Sequence, residues 1–213
     1  MALINTKSCL TEFDIKVNEI LQLSNDSKSM FLKDKFTKKL ISYKKKELIV
    51  GLSLLQLHSA WESFIEDTFI RYLCGAVSPS GFKPTLVSLK EKNIPSALST
   101  LLSGQNYINW SPKNTTSRSK KYFSAGTPYT NALAVTSSVC EDINIIRNRF
   151  AHRSIYSLSE FHKVVRREVG FIPIGMTVGR FLQSCSSSPT HGGNNYIEYY
   201  ANVLQIASKI IVP

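Results

Sequence analysis

The sequence lacks closely spaced cysteines. Its four cysteines, at positions 9, 74, 140 and 185, include no Cys-x-x-Cys pair. This spacing fits neither a zinc cluster nor a disulfide framework. A reducing compartment is the natural setting for such a chain. We therefore expect a cytoplasmic protein without structural metal, with Cys140 on an apolar helical stripe and buried in the core.

Long hydrophobic runs are also missing. The longest apolar stretch, Leu48 to Leu57, contains Ser53 and Gln56. It is too short to span a bilayer. The N-terminal residues contain no hydrophobic block of signal-peptide length. These features predict a soluble protein with no membrane partner.

Acidic residues are scarce relative to basic ones. The chain carries 15 Asp and Glu against 26 Lys and Arg, for a formal net charge of +11. A positive excess of this size attracts polyanions, of which nucleic acid is the commonest. Many basic proteins bind no nucleic acid, so charge alone does not establish the partner.

Strand-like alternation and internal repeats are absent, whereas helical spacing of apolar residues recurs. The pattern predicts one all-α domain over residues 1–213, long enough to bury a core. A loop-rich insertion, rich in Pro, Gly and Ser, is expected at about 76–127. The expected helices are 8–24, 28–73 with a break before Tyr43, 85–92, 95–103, 128–151, 158–169, 177–184 and 195–211.

The strongest local signal is the run from Arg147 to His152, with the sequence Arg-Asn-Arg-Phe-Ala-His. On an ideal helix, Asn148 and His152 share a face, and Glu141 and Asn144 extend that polar stripe. Arg147 lies about 140° around the helix from His152, so one rigid helix cannot aim both at one atom. Either the helix frays at His152, or two chains each contribute part of a shared site.

These residue types suit metal-independent cleavage of RNA. Histidine transfers protons near neutral pH, and arginine clamps phosphoryl oxygens. Asparagine can orient the imidazole or hold phosphate without adding charge. DNA lacks the attacking 2′-hydroxyl, so this chemistry predicts RNA as the substrate and needs neither metal nor cofactor. A polar stripe ending in Arg and His is also typical of a solvated helix end.

The motif resembles a known signature. Arg147-Asn148-x-x-x-His152 is similar to the Arg-x(4–6)-His motif of the HEPN superfamily, in which a polar residue typically follows the arginine. Residues 57–67, Leu-His-Ser-Ala-Trp-Glu-Ser-Phe-Ile-Glu-Asp, resemble the Ala-Trp-Glu segment of the branch called RiboL-PSP-HEPN. The resemblance covers roughly residues 45–155.

The resemblance implies a helical bundle that forms a homodimer with its groove at the dimer interface. It also implies endoribonuclease activity. A protein of this kind acts as a toxin or defence effector, and it has a neutralising antitoxin or belongs to a larger defence complex. The resemblance implies that Arg147 and His152 are catalytic and that Asn148 has a supporting role. Glu62 and Glu66 share a helical face; they either orient the motif or pair with lysines, and the structural role is favoured.

Basic residues outside the two catalytic positions are candidates for RNA binding. Arg149 and Arg153 add positive charge around the motif. A second patch falls in the insertion, where a flexible loop is expected beside Tyr122 and Phe123; stacking aromatics suit single-stranded RNA. Its members are Lys113, Arg118, Lys120 and Lys121. Another lysine-rich stretch runs from Lys33 to Lys46.

Two other functions remain open. A non-catalytic HEPN-like module could use the same groove to hold RNA, a nucleotide or a protein. The chain could also be a structural helical subunit of a larger complex.

Overall fold

The computed structural model describes residues 5–29, 43–88, 90–185 and 193–213, apart from the side chains of residues 28 and 29. Within these ranges, extended pairing is limited to three isolated bridges, Asn5–Val77, Leu86–Phe123 and Cys185–Asn195. The predicted all-α class is confirmed. The helices are α1 Lys7–Ser29, α2 Tyr43–Leu73, α3 Ile94–Leu102, α4 Pro112–Tyr122, α5 Tyr129–Ala151, α6 Ile155–Val169, α7 Val178–Gln183 and α8 Tyr196–Ile211.

Most of the predicted helices agree with these bounds, but two expectations in the insertion are wrong. The described residues among 85–92 form no helix, because the backbone at Thr85 and Val87 pairs with the end of α4. Val87 N donates to Tyr122 O at 2.9 Å, and Ser124 N donates to Thr85 O at 2.9 Å. The break expected before Tyr43 lies outside the described residues.

The second error concerns the polar tract at 111–121, which forms helix α4 from Pro112 onward rather than a flexible loop. Pro112 starts α4 at its first turn, where a missing N–H costs nothing. The buried face carries Thr115, Ser119 and Tyr122. Thr115 Oγ1 donates to Trp110 O at 3.0 Å, and Ser119 Oγ donates to Thr116 O at 2.9 Å. Because backbone carbonyls accept from these hydroxyls, a polar sequence forms a packed helix.

The chain divides into two compact units, each assembled from separate stretches of sequence. Unit 1 comprises Met1–Ile15, Ala60–Glu141 and Val203–Pro213. Unit 2 comprises Lys16–Ser59 and Asp142–Asn202.

The core of unit 1 is an aromatic cluster around Phe69. Its ring lies 4.8 Å from that of Phe123, 4.9 Å from that of Tyr129 and 5.4 Å from that of Trp110, measured between centroids. Tyr129 is fully buried, and its hydroxyl donates to Thr68 Oγ1 at 3.1 Å. Cys140 is also buried as expected, and burial raises the pKa of its thiol to about 12.

The core of unit 2 joins α6, α7 and α8. Phe181 stacks on Tyr196 with ring centroids 4.3 Å apart and meets Phe161 edge-on at 5.9 Å. The start of α2 packs on α7, where Arg180 Nε donates to Glu47 Oε1 at 2.7 Å. Gly179 allows this approach, because a Cβ there would overlap the backbone of Glu47.

Helix α2 is long and apolar enough to cross a membrane by length and composition, with a mean hydropathy of 1.3 over its most apolar window. Among the described helices it alone meets that test, and half of the window is buried inside the protein. Core helices have the same properties, so the evidence for a membrane span is weak.

We expect Gly51→Ala to destabilise the protein by about 1–3 kcal/mol, the usual cost of overpacking. Gly51 is buried on α2, and a Cβ there would overlap the ring of Phe150 on α5. This cost exceeds the gain of up to about 1 kcal/mol in helix propensity. Urea denaturation measures the change in the free energy of unfolding.

The matched control repeats Gly51→Ala in a Phe150→Ala background. Without the ring, only the propensity gain remains, and the substitution becomes stabilising. A Gly51→Ala protein as stable as wild type would contradict the packing described for this contact.

Candidate functional site

The polar stripe of α5 continues to His152, one residue beyond the end of the helix. His152 N donates to Asn148 O at 2.8 Å, which is the helical pattern. His152 therefore keeps its position one turn after Asn148, and both side chains are exposed. The pairing of these two residues on one face agrees with the spacing argument.

A short turn then places α6 directly after α5. Ser154 caps α6 by accepting a hydrogen bond from Ser157 N at 3.1 Å. Ser157 Oγ lies 2.6 Å from His152 O and 2.9 Å from Ser154 O, so its hydroxyl donates to backbone carbonyls of the turn. Arg149 Nη1 also donates to Ser154 O, at 3.3 Å. Three side chains thus fix the turn between the two helices.

A pocket of about 630 Å³ opens at this turn, within unit 2. Both helices contribute to its wall, and only one lining side chain is aliphatic. Tyr156 is 76% exposed at the pocket, which leaves its ring available to a ligand. The lining residues are Ile145, Asn148, His152, Ser154, Tyr156, Ser157 and Glu160.

Arg147 is not one of the described residues that line the pocket. Its Nη1 donates to Asn148 Oδ1 at 2.9 Å. The single chain therefore brings Asn148 and His152 to the pocket and connects Arg147 to it through Asn148. This arrangement agrees with the expectation that one helix does not aim Arg147 and His152 at the same atom.

The polar stripe is anchored one turn before Asn148. His58 on α2 is mostly buried, and its Nε2 lies 2.7 Å from Asn144 Oδ1 on α5. Since the asparagine oxygen accepts, the histidine nitrogen donates. The sequence pattern places Asn144 in the stripe but does not indicate this partner.

Glu62 and Glu66 lie in unit 1 and are not among the described residues lining the pocket. Glu66 Oε2 accepts a hydrogen bond from Trp110 Nε1 at 2.8 Å. Glu62 is half-buried. Glu66 therefore has a structural partner, although this partner is a tryptophan and not one of the expected lysines.

The basic patch of the insertion lies on α4, which corrects its placement in a flexible loop. The Arg118 guanidinium lies 4.7 Å from the centre of the Trp110 ring, and its Nη1 donates to Asn109 O at 3.0 Å. Burial lowers the pKa of Arg118. Its contacts are those of a packing residue. Lys120 and Lys121 are exposed on the last turn of α4.

The remaining basic candidates that the structure describes lie either at the site or at the start of α2. Arg149 holds the turn as described, and Arg153 is exposed within it. In the stretch from Lys33 to Lys46, Lys33, Lys35, Lys38 and Lys39 fall outside the described residues. Lys44 and Lys45 are exposed at the start of α2.

Within the described ranges, no group of three or more His, Cys, Asp or Glu side chains could hold a metal ion.

Five of the lining residues were not predicted from the sequence: Ile145, Ser154, Tyr156, Ser157 and Glu160. The predicted helix began at Leu158, whereas α6 starts at Ile155 with Ser154 as its cap. The available signal was a capping serine two residues after His152.

The chain matches no protein-family model, no curated protein and no solved structure.

Proposed function

We propose that this protein is a metal-independent endoribonuclease of the HEPN type that cleaves single-stranded RNA by attack of the 2′-hydroxyl. Its catalytic residues are His152 and Arg147, with Asn148 in support. The observation that carries the proposal is the pocket at the turn between α5 and α6, where His152 and Asn148 are exposed side by side.

The electrostatics of this turn suit a phosphodiester. The N-terminus of α6 borders the pocket, and its first turn contains no acidic residue. A helix N-terminus favours an anion because its free N–H groups and dipole are positive. Arg149 and Arg153 add positive charge beside it. A phosphate is thus attracted to the place where His152 can transfer a proton.

The exposed ring of Tyr156 supplies the aromatic contact for the RNA. Base stacking on an aromatic side chain contributes about 1–3 kcal/mol per base and tolerates any base. A stacked base next to His152 would position the adjacent ribose and phosphate for cleavage.

The role of Arg147 leads to a composite site in a homodimer. Arg147 contacts Asn148 rather than lining the pocket of its own chain. Two-fold pairing of the end of α5 would bring Arg147 of one chain to His152 of the other. In the cell, such an enzyme would act as a toxin or defence effector, restrained by an antitoxin or within a larger complex.

Incubating the purified protein with single-stranded RNA in excess EDTA tests the activity. Because no metal takes part, we expect cleavage in the presence of EDTA. Because the 2′-oxygen attacks the adjacent phosphorus, the products should carry 2′,3′-cyclic phosphate ends. End-group analysis by mass spectrometry identifies these products.

The control substrate carries a single 2′-deoxyribose at the cleaved position, which removes the nucleophile and should block cleavage there. Cleavage of that substrate would contradict 2′-hydroxyl attack. Intact RNA that is nevertheless bound by the protein would instead favour a non-catalytic binding module.

A further inference from the structure

We infer that Glu160 is a second catalytic residue, the general base that removes the 2′-hydroxyl proton while His152 protonates the leaving 5′-oxygen. This inference rests on the proposed ribonuclease function. It adds a residue that neither the motif nor the resemblance includes.

The reaction requires two proton transfers, whereas the motif contains one residue suited to them. One group must accept the proton of the 2′-hydroxyl, and another must supply a proton to the departing oxygen. Among the seven described residues that line the pocket, His152 and Glu160 are the two whose side chains serve general acid–base catalysis most often. The same pocket therefore contains a complete pair.

The position of Glu160 follows from the contacts of Ser157. Ser157 and Glu160 are three residues apart on α6 and so share a helical face. Ser157 Oγ donates to His152 O at 2.6 Å, which turns that face toward the end of α5. Glu160 is consequently directed to the side of the pocket where His152 lies.

The ion pair of Glu160 indicates which of the two roles it takes. Lys163 Nζ lies 2.7 Å from Glu160 Oε1, one turn along α6, and the Glu160 side chain is 25% exposed. In an ion pair with an ammonium group, the glutamate side chain is a carboxylate, which accepts protons and cannot donate them. Glu160 is therefore the base, and the donor role falls to the His152 imidazolium.

The 2′-oxygen forms a bond to phosphorus as its proton passes to the Glu160 carboxylate. The bond from phosphorus to the 5′-oxygen breaks, and that oxygen takes the proton of the His152 imidazolium. The products are a 2′,3′-cyclic phosphate and a free 5′-hydroxyl, with Glu160 protonated and His152 neutral. Exchange with water restores both groups.

A dinucleotide with sulfur in place of the bridging 5′-oxygen separates the two roles. A thiolate leaves without protonation, so this substrate removes the need for the general acid but retains the need for the base. With the normal dinucleotide, we expect Glu160→Gln and His152→Ala each to lower the cleavage rate by at least about 100-fold. With the sulfur substrate, His152→Ala should recover to within about tenfold of wild type, while Glu160→Gln should remain impaired.

Lys163→Ala is the matched control, because it removes the ion pair with Glu160 and leaves the carboxylate in place. Lys163 is largely exposed, and we expect a change of less than about threefold in rate. Circular dichroism melting establishes that each variant is folded. Glu160→Asp, which keeps a carboxylate, should retain more activity than Glu160→Gln.

Three other results would contradict, respectively, the role of Glu160, the assignment of base and acid, and the proposed function. A wild-type rate in Glu160→Gln, alongside loss of activity in His152→Ala, would overturn the role of Glu160 and leave the proposed function intact. Rescue of Glu160→Gln by the sulfur substrate, without rescue of His152→Ala, would overturn the assignment of base and acid. An inactive wild-type protein would overturn the proposed function together with this inference.

Discussion

His152→Ala is expected to lower the rate of RNA cleavage by about 10³-fold, within the range for loss of a general acid or base. The exposed imidazole lies at the pocket and is held there by the hydrogen bond from its backbone to Asn148. Alanine preserves the helical end but removes the proton donor. Single-turnover cleavage of a labelled RNA measures the loss without interference from product release.

His162→Gln is the matched histidine control, since His162 lies on α6 and is not among the described lining residues. It should cleave RNA at the wild-type rate. In cells, growth inhibition should follow the same pattern, with His152→Ala harmless and His162→Gln as toxic as wild type. Full cleavage by His152→Ala would refute the site assignment.

Arg147→Ala is expected to lower cleavage by about 10²–10³-fold, the effect typical of removing a preorganised group that stabilises transition-state charge. In the proposed composite site, a second chain that carries an intact Arg147 should complement this loss. In a heterodimer of Arg147→Ala with His152→Ala, one of the two composite sites receives an intact arginine and an intact histidine. Such heterodimers should show about half of the wild-type activity.

The experiment uses the two variants co-expressed with different affinity tags and purified through both. Each variant purified alone is the control and should be nearly inactive. An inactive heterodimer would mean that Arg147 and His152 act from the same chain. A wild-type protein that is monomeric by light scattering and fully active would also refute the composite site.

The sequence predicted the helices whose burial depends on apolar spacing. α5 and α8 were placed to within a residue or so of their bounds because their stripes are regular, as in Ile143 and Ile146, both buried. α4 was missed because its buried face consists of hydroxyl side chains and Tyr122. Periodicity in hydrophobicity cannot reveal a helix whose packing depends on hydrogen bonds to backbone carbonyls.

Only part of the candidate site was predicted from the sequence. The spacing of Asn148 and His152 placed both on one face, since that relation is local to a helix. Tyr156 and Glu160 come to the same pocket because of the turn after His152, whose direction is set by the contacts of Ser157 and Arg149. Such a turn depends on three-dimensional contacts that a linear pattern does not contain.

The packing of Trp110 against Phe69 and Arg118 has a consequence for spectroscopy. The protein has two tryptophans, and both Trp61 and Trp110 belong to unit 1. Intrinsic tryptophan emission therefore reports the unfolding of unit 1, whereas His152 and its pocket belong to unit 2. A probe introduced at Phe181, such as Phe181→Trp, would give unit 2 a signal of its own and would test whether the two units unfold together.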